Sequence, residues 1–272
     1  MTPTPKQPPP EFPDHLWNRD HFTLQKILQA AGFSDRRSIR RAITSGRVTI
    51  NGRITTDPHA PIDPERDIIT VMGKRIKLAV EKKVYYILNK PRDVISSLSD
   101  PQGRKTILDF FEGVVERIYP VGRLDFLSEG LMLLTNDGDL TNHVISPRNR
   151  IPKVYQVKLE GLLAPEKIKK LVSRGLVVEG RRVKPQDVVL LKHLKNSHSL
   201  VRITLYEGKK HIVRKIFANL DHPVRELKRV SIGSLRLKGL PSGQWRKLSE
   251  TEVSRFKRNC GFERDSAATA DG

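Results

Sequence analysis

Four carboxylates crowd one short stretch of this chain, Tyr119 to Leu140, which reads YPVGRLDFLSEGLMLLTNDGDL: Asp125, Glu129, Asp137 and Asp139. A carboxylate can act as a nucleophile, as a general base, or within a cluster as a ligand for a divalent cation. Asp125 ends the run VGRLD, expected to be a short strand before LMLL at 131 to 134, and turn formers follow it. A strand end suits a side chain that faces a cleft, and it suits a cap or turn equally well. Asp137 lies in Asn136-Asp137-Gly138, which backbone conformation explains on its own. That weakens a magnesium-dependent nuclease built on Asp125 with Glu129, or on Asp137 with Asp139. A glycosidase using Asp125 and Glu129 as its pair has less support still, because nothing else in the chain points to sugar binding.

A second set of residues is basic. Lys209, Lys210, His211, Arg214 and Lys215 lie within EGKKHIVRKIF, and Lys228, Arg229, Arg236 and Lys238 follow. Such a run offers a track for phosphates. The whole chain shares the bias, with a formal charge of +20 over 272 residues. An excess of that size repels itself unless a polyanion is near, so nucleic acid is the expected partner. A membrane-surface protein would show a basic amphipathic helix with large apolar residues opposite, and none is visible. No apolar run reaches the roughly 18 residues of a spanning helix. The N-terminus, with PPP at 8 to 10, lacks the apolar core of a secretory signal, so the cytoplasm is the expected compartment. Cys260 is the single cysteine, and the eight histidines include no HExxH, so the chemistry is expected to be free of metal and cofactor.

The elements that must hold these groups fall into two parts. Residues 1 to 19 form a Pro-rich tail, expected to be disordered. Leu24, Ile27, Leu28 and Ala31 then share a helical face with Gly32 as the stop, and Ser34 is expected to cap a second helix with Ile39, Ala42 and Ile43 inward. Arg36, Arg37, Arg40 and Arg41 lie on that helix, and Arg47 lies just past it. Val48 and Ile50 lead into Asn51-Gly52, a two-residue hairpin turn, with Ile54 on the return and Ile68, Ile69 and Val71 as a closing strand. After a basic linker at 74 to 83, strands are expected at VYYILN (84 to 89), VYQVKL (154 to 159) and LVRITLY (200 to 206), with helices near Pro165 to Arg174 and Lys210 to Asn219. No strand and crossover-helix series of the doubly wound kind is visible. The expected class is α+β with a mostly antiparallel mixed sheet and flanking helices.

Helix, arginine-rich helix and Asn-Gly hairpin in this order, over residues 22 to 72, resemble the αL RNA-binding domain, known from a small-subunit ribosomal protein and appended to several RNA enzymes. The resemblance implies RNA contacts from Arg36, Arg37, Arg40, Arg41 and Arg47. A solvated helix face is the plainer reading of a single charge run. Four arginines in six residues, with few acidic neighbours, favour RNA.

GRLD followed by SEGLMLLTNDG closely resembles the signature of the RsuA-type pseudouridine synthases, which modify ribosomal RNA. YYILNKP at 85 to 91, KVYQVKL at 153 to 159, EGKKHIVRKIF at 207 to 217 and ELKRVSIG at 226 to 233 follow in the family's order. The resemblance implies that Asp125 is the catalytic aspartate, that Arg123 helps the target base leave its stack, and that Tyr155 packs against the extruded uracil. Arg214 would pair with Asp125, Leu227 would line the pocket, and Lys209, Lys210 and Lys215 would contact RNA. One departure stands out: the family commonly has a glycine soon after its Lys-Pro, where this chain has Asp93, and the loop shape there is expected to differ. The implied organisation is an αL domain at 20 to 73, the linker at 74 to 83, a catalytic domain at 84 to 258 and a flexible tail at 259 to 272. The implied protein is a monomeric enzyme acting on ribosomal RNA or a subunit assembly intermediate. A non-catalytic ribosomal RNA-binding or assembly protein on the same fold is the competing reading, against which the intact GRLD, Tyr155 and Arg214 stand.

Overall fold

A computed structural model describes residues 23–262 apart from 32, 34, 64–65, 77–81 and 196. The expected tail at 1 to 19 and the Ser34 cap lie outside the described residues, as does the C-terminal tail beyond 262. The chain divides into two compact units between Lys82 and Lys83.

The first unit holds α1 (Leu24–Ala30), α2 (Arg36–Thr44) and a four-stranded antiparallel sheet of β1 (Val48–Ile50), β2 (Arg53–Thr55), β3 (Ile69–Val71) and β4 (Lys74–Ile76), in the order β2-β1-β3-β4. Leu24, Leu28, Ile39, Ile43, Val48 and Ile69 close its core, each with no exposed surface. Asp35 caps α2, its carboxylate accepting the N–H groups of Arg37 and Ser38 at 2.9 and 3.1 Å. Burying the Ile39 and Ile43 stripe turns Arg36, Arg37, Arg40 and Arg41 outward; with Arg47 they are exposed and form no ion pair with a described carboxylate. The linker expectation needs correction at its start. Lys74–Ile76 is a strand, because Met72 and Gly73 take left-handed φ angles of 50° and 77° and turn the chain back onto β3.

In the second unit come β5 (Tyr85–Lys90), β6 (Tyr119–Pro120), β7 (Glu129–Thr135), α3 (Gly138–Ile145), β8 (Lys153–Glu160), α4 (Pro165–Arg174), β9 (Leu176–Val178) and β10 (Arg181–Val183). Then follow β11 (Asp187–Leu194), β12 (His198–Leu205), α5 (Ile212–Ala218), β13 (Val224–Ile232), β14 (Leu235–Arg236), β15 (Trp245–Lys247) and α6 (Glu250–Asn259). A nine-stranded sheet runs β11-β12-β8-β13-β7-β5-β15, with β14 on β13 and β6 on β7, while β9 and β10 pair by themselves. All its pairs are antiparallel except β13 with β7. This α+β architecture agrees with the class expected from the sequence.

Alternation along the central strands feeds two cores. Tyr86 and Leu88 of β5 with Met132 and Leu134 of β7 meet α4 and α5; Tyr85 and Ile87 with Leu131 and Leu133 meet α3 and α6. Three expectations change here. VGRLD at 121 to 125 is a loop, the strand before it being only Tyr119–Pro120. Asp137 and Gly138 of the expected turn are the N-cap and first residue of α3. Asn259, assigned to the tail, ends α6. No helix among the described residues is long and apolar enough to cross a membrane.

Asp137 caps α3 through Leu140 N–H at 3.1 Å, accepts the Tyr85 hydroxyl at 2.7 Å and lies 3.3 Å from the Lys257 ammonium. Burial pushes its pKa up, but the Tyr85 hydroxyl, the Leu140 N–H and the Lys257 and Lys83 charges outweigh that and hold it below the usual carboxylate range. A carboxyl depressed on folding contributes stability above its unfolded pKa, which is lost as pH falls through the folded value. Asp137→Asn is therefore expected to cost about 1–3 kcal/mol at neutral pH. In urea titrations the gap to wild type should close as pH falls below about 4. A gap that persists in acid would remove the charge from the account.

Candidate functional site

The loop between β6 and β7 carries Asp125, and five consecutive carbonyls in it each accept a hydrogen bond. Ser96 Oγ donates to Leu124 O at 2.6 Å, Ser128 N to Asp125 O at 3.0 Å, Asp93 N to Phe126 O at 2.9 Å, Arg214 Nη2 to Leu127 O at 3.1 Å, and Lys90 Nζ to Ser128 O at 2.8 Å. Leu124 N–H in turn donates to Ser96 Oγ at 3.1 Å. A loop pinned at five successive carbonyls holds its one outward carboxylate in a fixed place, which is the condition for a preorganised reacting group.

Three of those donors, Lys90, Asp93 and Ser96, come from the end of β5 and the segment after it. Lys90 has no exposed surface, and burial pushes its pKa down to about 8 against the nearby charges of Asp93, Asp125 and Glu129. Asp93, where a glycine was expected, takes φ 60°. Asp tolerates this left-handed region better than most residues, so the backbone has a conformation that glycine readily adopts.

Asp125 opens onto a cleft of about 1250 Å³. Its Oδ1 lies 3.3 Å from His211 Nε2, and its side chain is 30% exposed. His211 stands at the entrance of α5 with φ 57° and is among the residues lining the cleft. Arg214 does not close an ion pair with Asp125, contrary to the implied role. Two of its five N–H groups donate to the carbonyls of Leu127 and Val224, and it feels the Asp125 charge through space. Burial lowers the Arg214 pKa, and the Asp125 charge opposes that shift. Arg214 thus positions the loop.

The cleft floor is one face of the β8 and β13 pair. Tyr155 stands opposite Arg229 and Val157 opposite Leu227 in the register, so Tyr155, Leu227 and Arg229 share a face with Lys153 two residues before Tyr155. All four line the cleft and are at most 7% exposed. Arg123, Lys209, Lys210 and Arg181 lie among the cleft-lining residues too, Lys209 held by Glu207 at 2.7 Å. Lys215 is not among them: it pairs with Glu179 on the β9–β10 turn, which ties that hairpin to α5. Of the carboxylates weighed as a metal or glycosidase set, Asp137 is engaged with α3 and Tyr85, and Glu129 lies 4.0 Å from the Lys228 ammonium. Among the described residues no group of three or more histidine, cysteine or acidic side chains could hold a metal ion.

Lys153 and the donors Ser96 and Lys90 escaped sequence reading. Ser96 and Lys90 lie 28 and 38 residues from the loop carbonyls they serve, and no local pattern announces such a partner.

Comparisons with known proteins follow the same division. The RNA pseudouridylate synthase family matches residues 84–219, and the S4 domain matches residues 23–68. An uncharacterized RNA pseudouridine synthase of Aquifex aeolicus (strain VF5) is 36% identical over 241 residues, covering 88% of this chain and 95% of the relative. Ribosomal large subunit pseudouridine synthase B of Bacillus subtilis (strain 168) is 38% identical over 235 residues, covering 86% and 95%. A crystal structure of a pseudouridylate synthase superposes with a TM-score of 0.59 at 28% identity, covering 86% of this chain and 99% of that one.

Proposed function

The chain belongs to the RNA pseudouridylate synthase family, with an S4 domain in front, and from that premise we propose that it isomerises one or a few uridines of ribosomal RNA with Asp125 as its catalytic carboxylate. The observation that carries this reading is the pinned loop, which presents Asp125 to a cleft floored by Tyr155 and Leu227. Ribosomal RNA as substrate is supported by the named activity of the Bacillus subtilis relative, whose length this chain matches almost throughout.

Converting uridine to pseudouridine breaks the bond from sugar to ring nitrogen, turns the ring and rejoins it through carbon. Substrate and product have the same formula, so no oxidant or energy source is consumed. Asp125 acts on the sugar as nucleophile or base. Tyr155 offers a flat face on which the uracil stacks, and Arg123 at the cleft supports the opened helix. Taking the base out of its stack costs a few kcal/mol, which phosphate contacts from Lys209, Lys210 and the exposed arginines of α2 offset.

Mapping pseudouridine in all stable RNAs of cells with and without the gene tests the reading. One or a few ribosomal sites should vanish, and purified enzyme should restore them in excess chelator. If every site survives, or restoration needs a metal, the proposal fails. For α2, replacing any two of Arg36, Arg37, Arg40 and Arg41 by Ala should lower the slope of log affinity against log salt by roughly 0.7 to 0.9 per lost contact. An unchanged slope would make them a solvated face.

A further inference from the structure

Two buried cations on the cleft floor have no anion. Arg229 is 4% exposed; its Nε donates to Leu131 O at 2.8 Å, and its Nη2 is buried without a partner. Lys153 is 7% exposed and donates to Val144 O and Tyr206 O at 3.1 and 3.3 Å, which leaves one ammonium N–H over. Neither forms an ion pair with a described carboxylate. Burial first, and then the Arg229 charge, push the Lys153 pKa down to about 8. Like charges buried side by side are costly unless something negative joins them.

We propose that Arg229 and Lys153 form an anion seat for the uracil ring after it leaves the sugar. This rests on the uridine-isomerising reading of the same cleft. If Asp125 is a nucleophile, its bond to C1′ forms as the C1′–N1 bond breaks. If it is a base, it takes the C2′ proton, and that electron pair becomes the second C1′–C2′ bond as C1′–N1 breaks. In both cases the pair of the broken bond departs on N1 and spreads over the ring carbonyl oxygens. The turned ring then uses C5 to attack C1′, displacing the Asp125 ester or, with return of the C2′ proton, adding across the double bond. H5 leaves to water as a proton, and N1 takes one up.

The ring is an anion only between those two bond changes. Donors that meet charge where it develops lower the barrier without tightening binding of the uncharged uridine. Register supports the placement, because Arg229 lies directly opposite Tyr155, on which the ring stacks, and Lys153 stands two residues before it. Phosphates are met at the cleft's exposed Lys210 and Arg123, whereas these two cations sit where a base would reach.

The test uses full-length enzyme under single turnover. Wild type is first shown to release tritium from ribosomal RNA labelled at uracil C5; failure there would sink the uridine-isomerising reading itself. With wild type active, Arg229→Gln and Lys153→Met should each slow the reaction about 100-fold at unchanged RNA affinity. RNA carrying 5-fluorouridine at the target has a weaker base as its departing ring, so it leans less on the two cations. On that RNA, followed by loss of intact 5-fluorouridine in nuclease digests, each variant's defect should shrink to about 10-fold or less. Equal defects on both RNAs, or full activity of the variants, would overturn the proposal. Lys153→Met keeps an apolar stem of similar length and decides the matter if Arg229→Gln does not fold.

Discussion

Asp125→Asn should bind its RNA as wild type does and release no measurable tritium from uracil C5, a loss of at least about 10⁴-fold. Asn has nearly the same shape, and the five bonds that pin the loop all end on backbone carbonyls, so none of them needs the carboxylate. The substitution removes the charge and leaves the scaffold. Asparagine keeps an oxygen where Asp125 Oδ1 lies 3.3 Å from His211 Nε2, so the side chain should keep its place. Asp137→Asn is the matched control: it removes a carboxylate that caps α3 and bonds Tyr85, and it should keep turnover under conditions where it remains folded. If Asp125→Asn turns over near the wild-type rate, another group starts the reaction. If both variants die while folded, the two carboxylates act together and the single-aspartate reading is wrong.

What the sequence made legible follows from how local each signal is. The amphipathic stripe of α2, the Asn51-Gly52 turn and the limits of α4 at Pro165 and Arg174 could be read off, because caps, turns and stripes are written within a few residues. Helix α3 could not. Asn136-Asp137-Gly138 carries the same residues whether it closes a turn or starts a helix, and only Leu140 and Val144 of that helix are buried, too few to show a period. Asp125 was visible through the motif around it. Its surroundings were not, since Lys90, Asp93, Ser96 and Arg214 converge on the loop from two distant segments and bind main-chain oxygens, which any sequence in the loop would offer. Arg214 shows the limit best: the resemblance implied a partner carboxylate, and the side chain donates to the carbonyls of Leu127 and Val224 instead.

Gly130→Ala should be the most damaging single methyl group in the second unit. Gly130 follows the Asp125 loop at the start of β7, with φ 112°, and a Cβ there would stand 2.2 Å from Arg229 O and 2.6 Å from Arg229 N. Both are backbone atoms that cannot swing aside. They belong to the Lys228↔Glu129 and Arg229↔Gly130 pairs, the parallel register that joins β11, β12, β8 and β13 to β7, β5 and β15. Relief therefore requires opening the seam of the sheet, which also breaks the Arg229 Nε bond to Leu131 O and displaces the Asp125 loop relative to Tyr155. Backbone strain and overpacking together should cost about 3–5 kcal/mol, and any folded fraction should have lost most of its turnover. Gly113→Ala separates the two causes. Gly113 also has a positive φ, 82°, yet nothing lies within 4 Å of its Cβ position, so it should cost only about 1 kcal/mol and leave activity intact. Urea midpoints and tritium release on the two variants decide the point. Equal destabilisation would mean that φ alone sets the cost, and a stable, active Gly130→Ala would show that the seam can shift without disturbing the site.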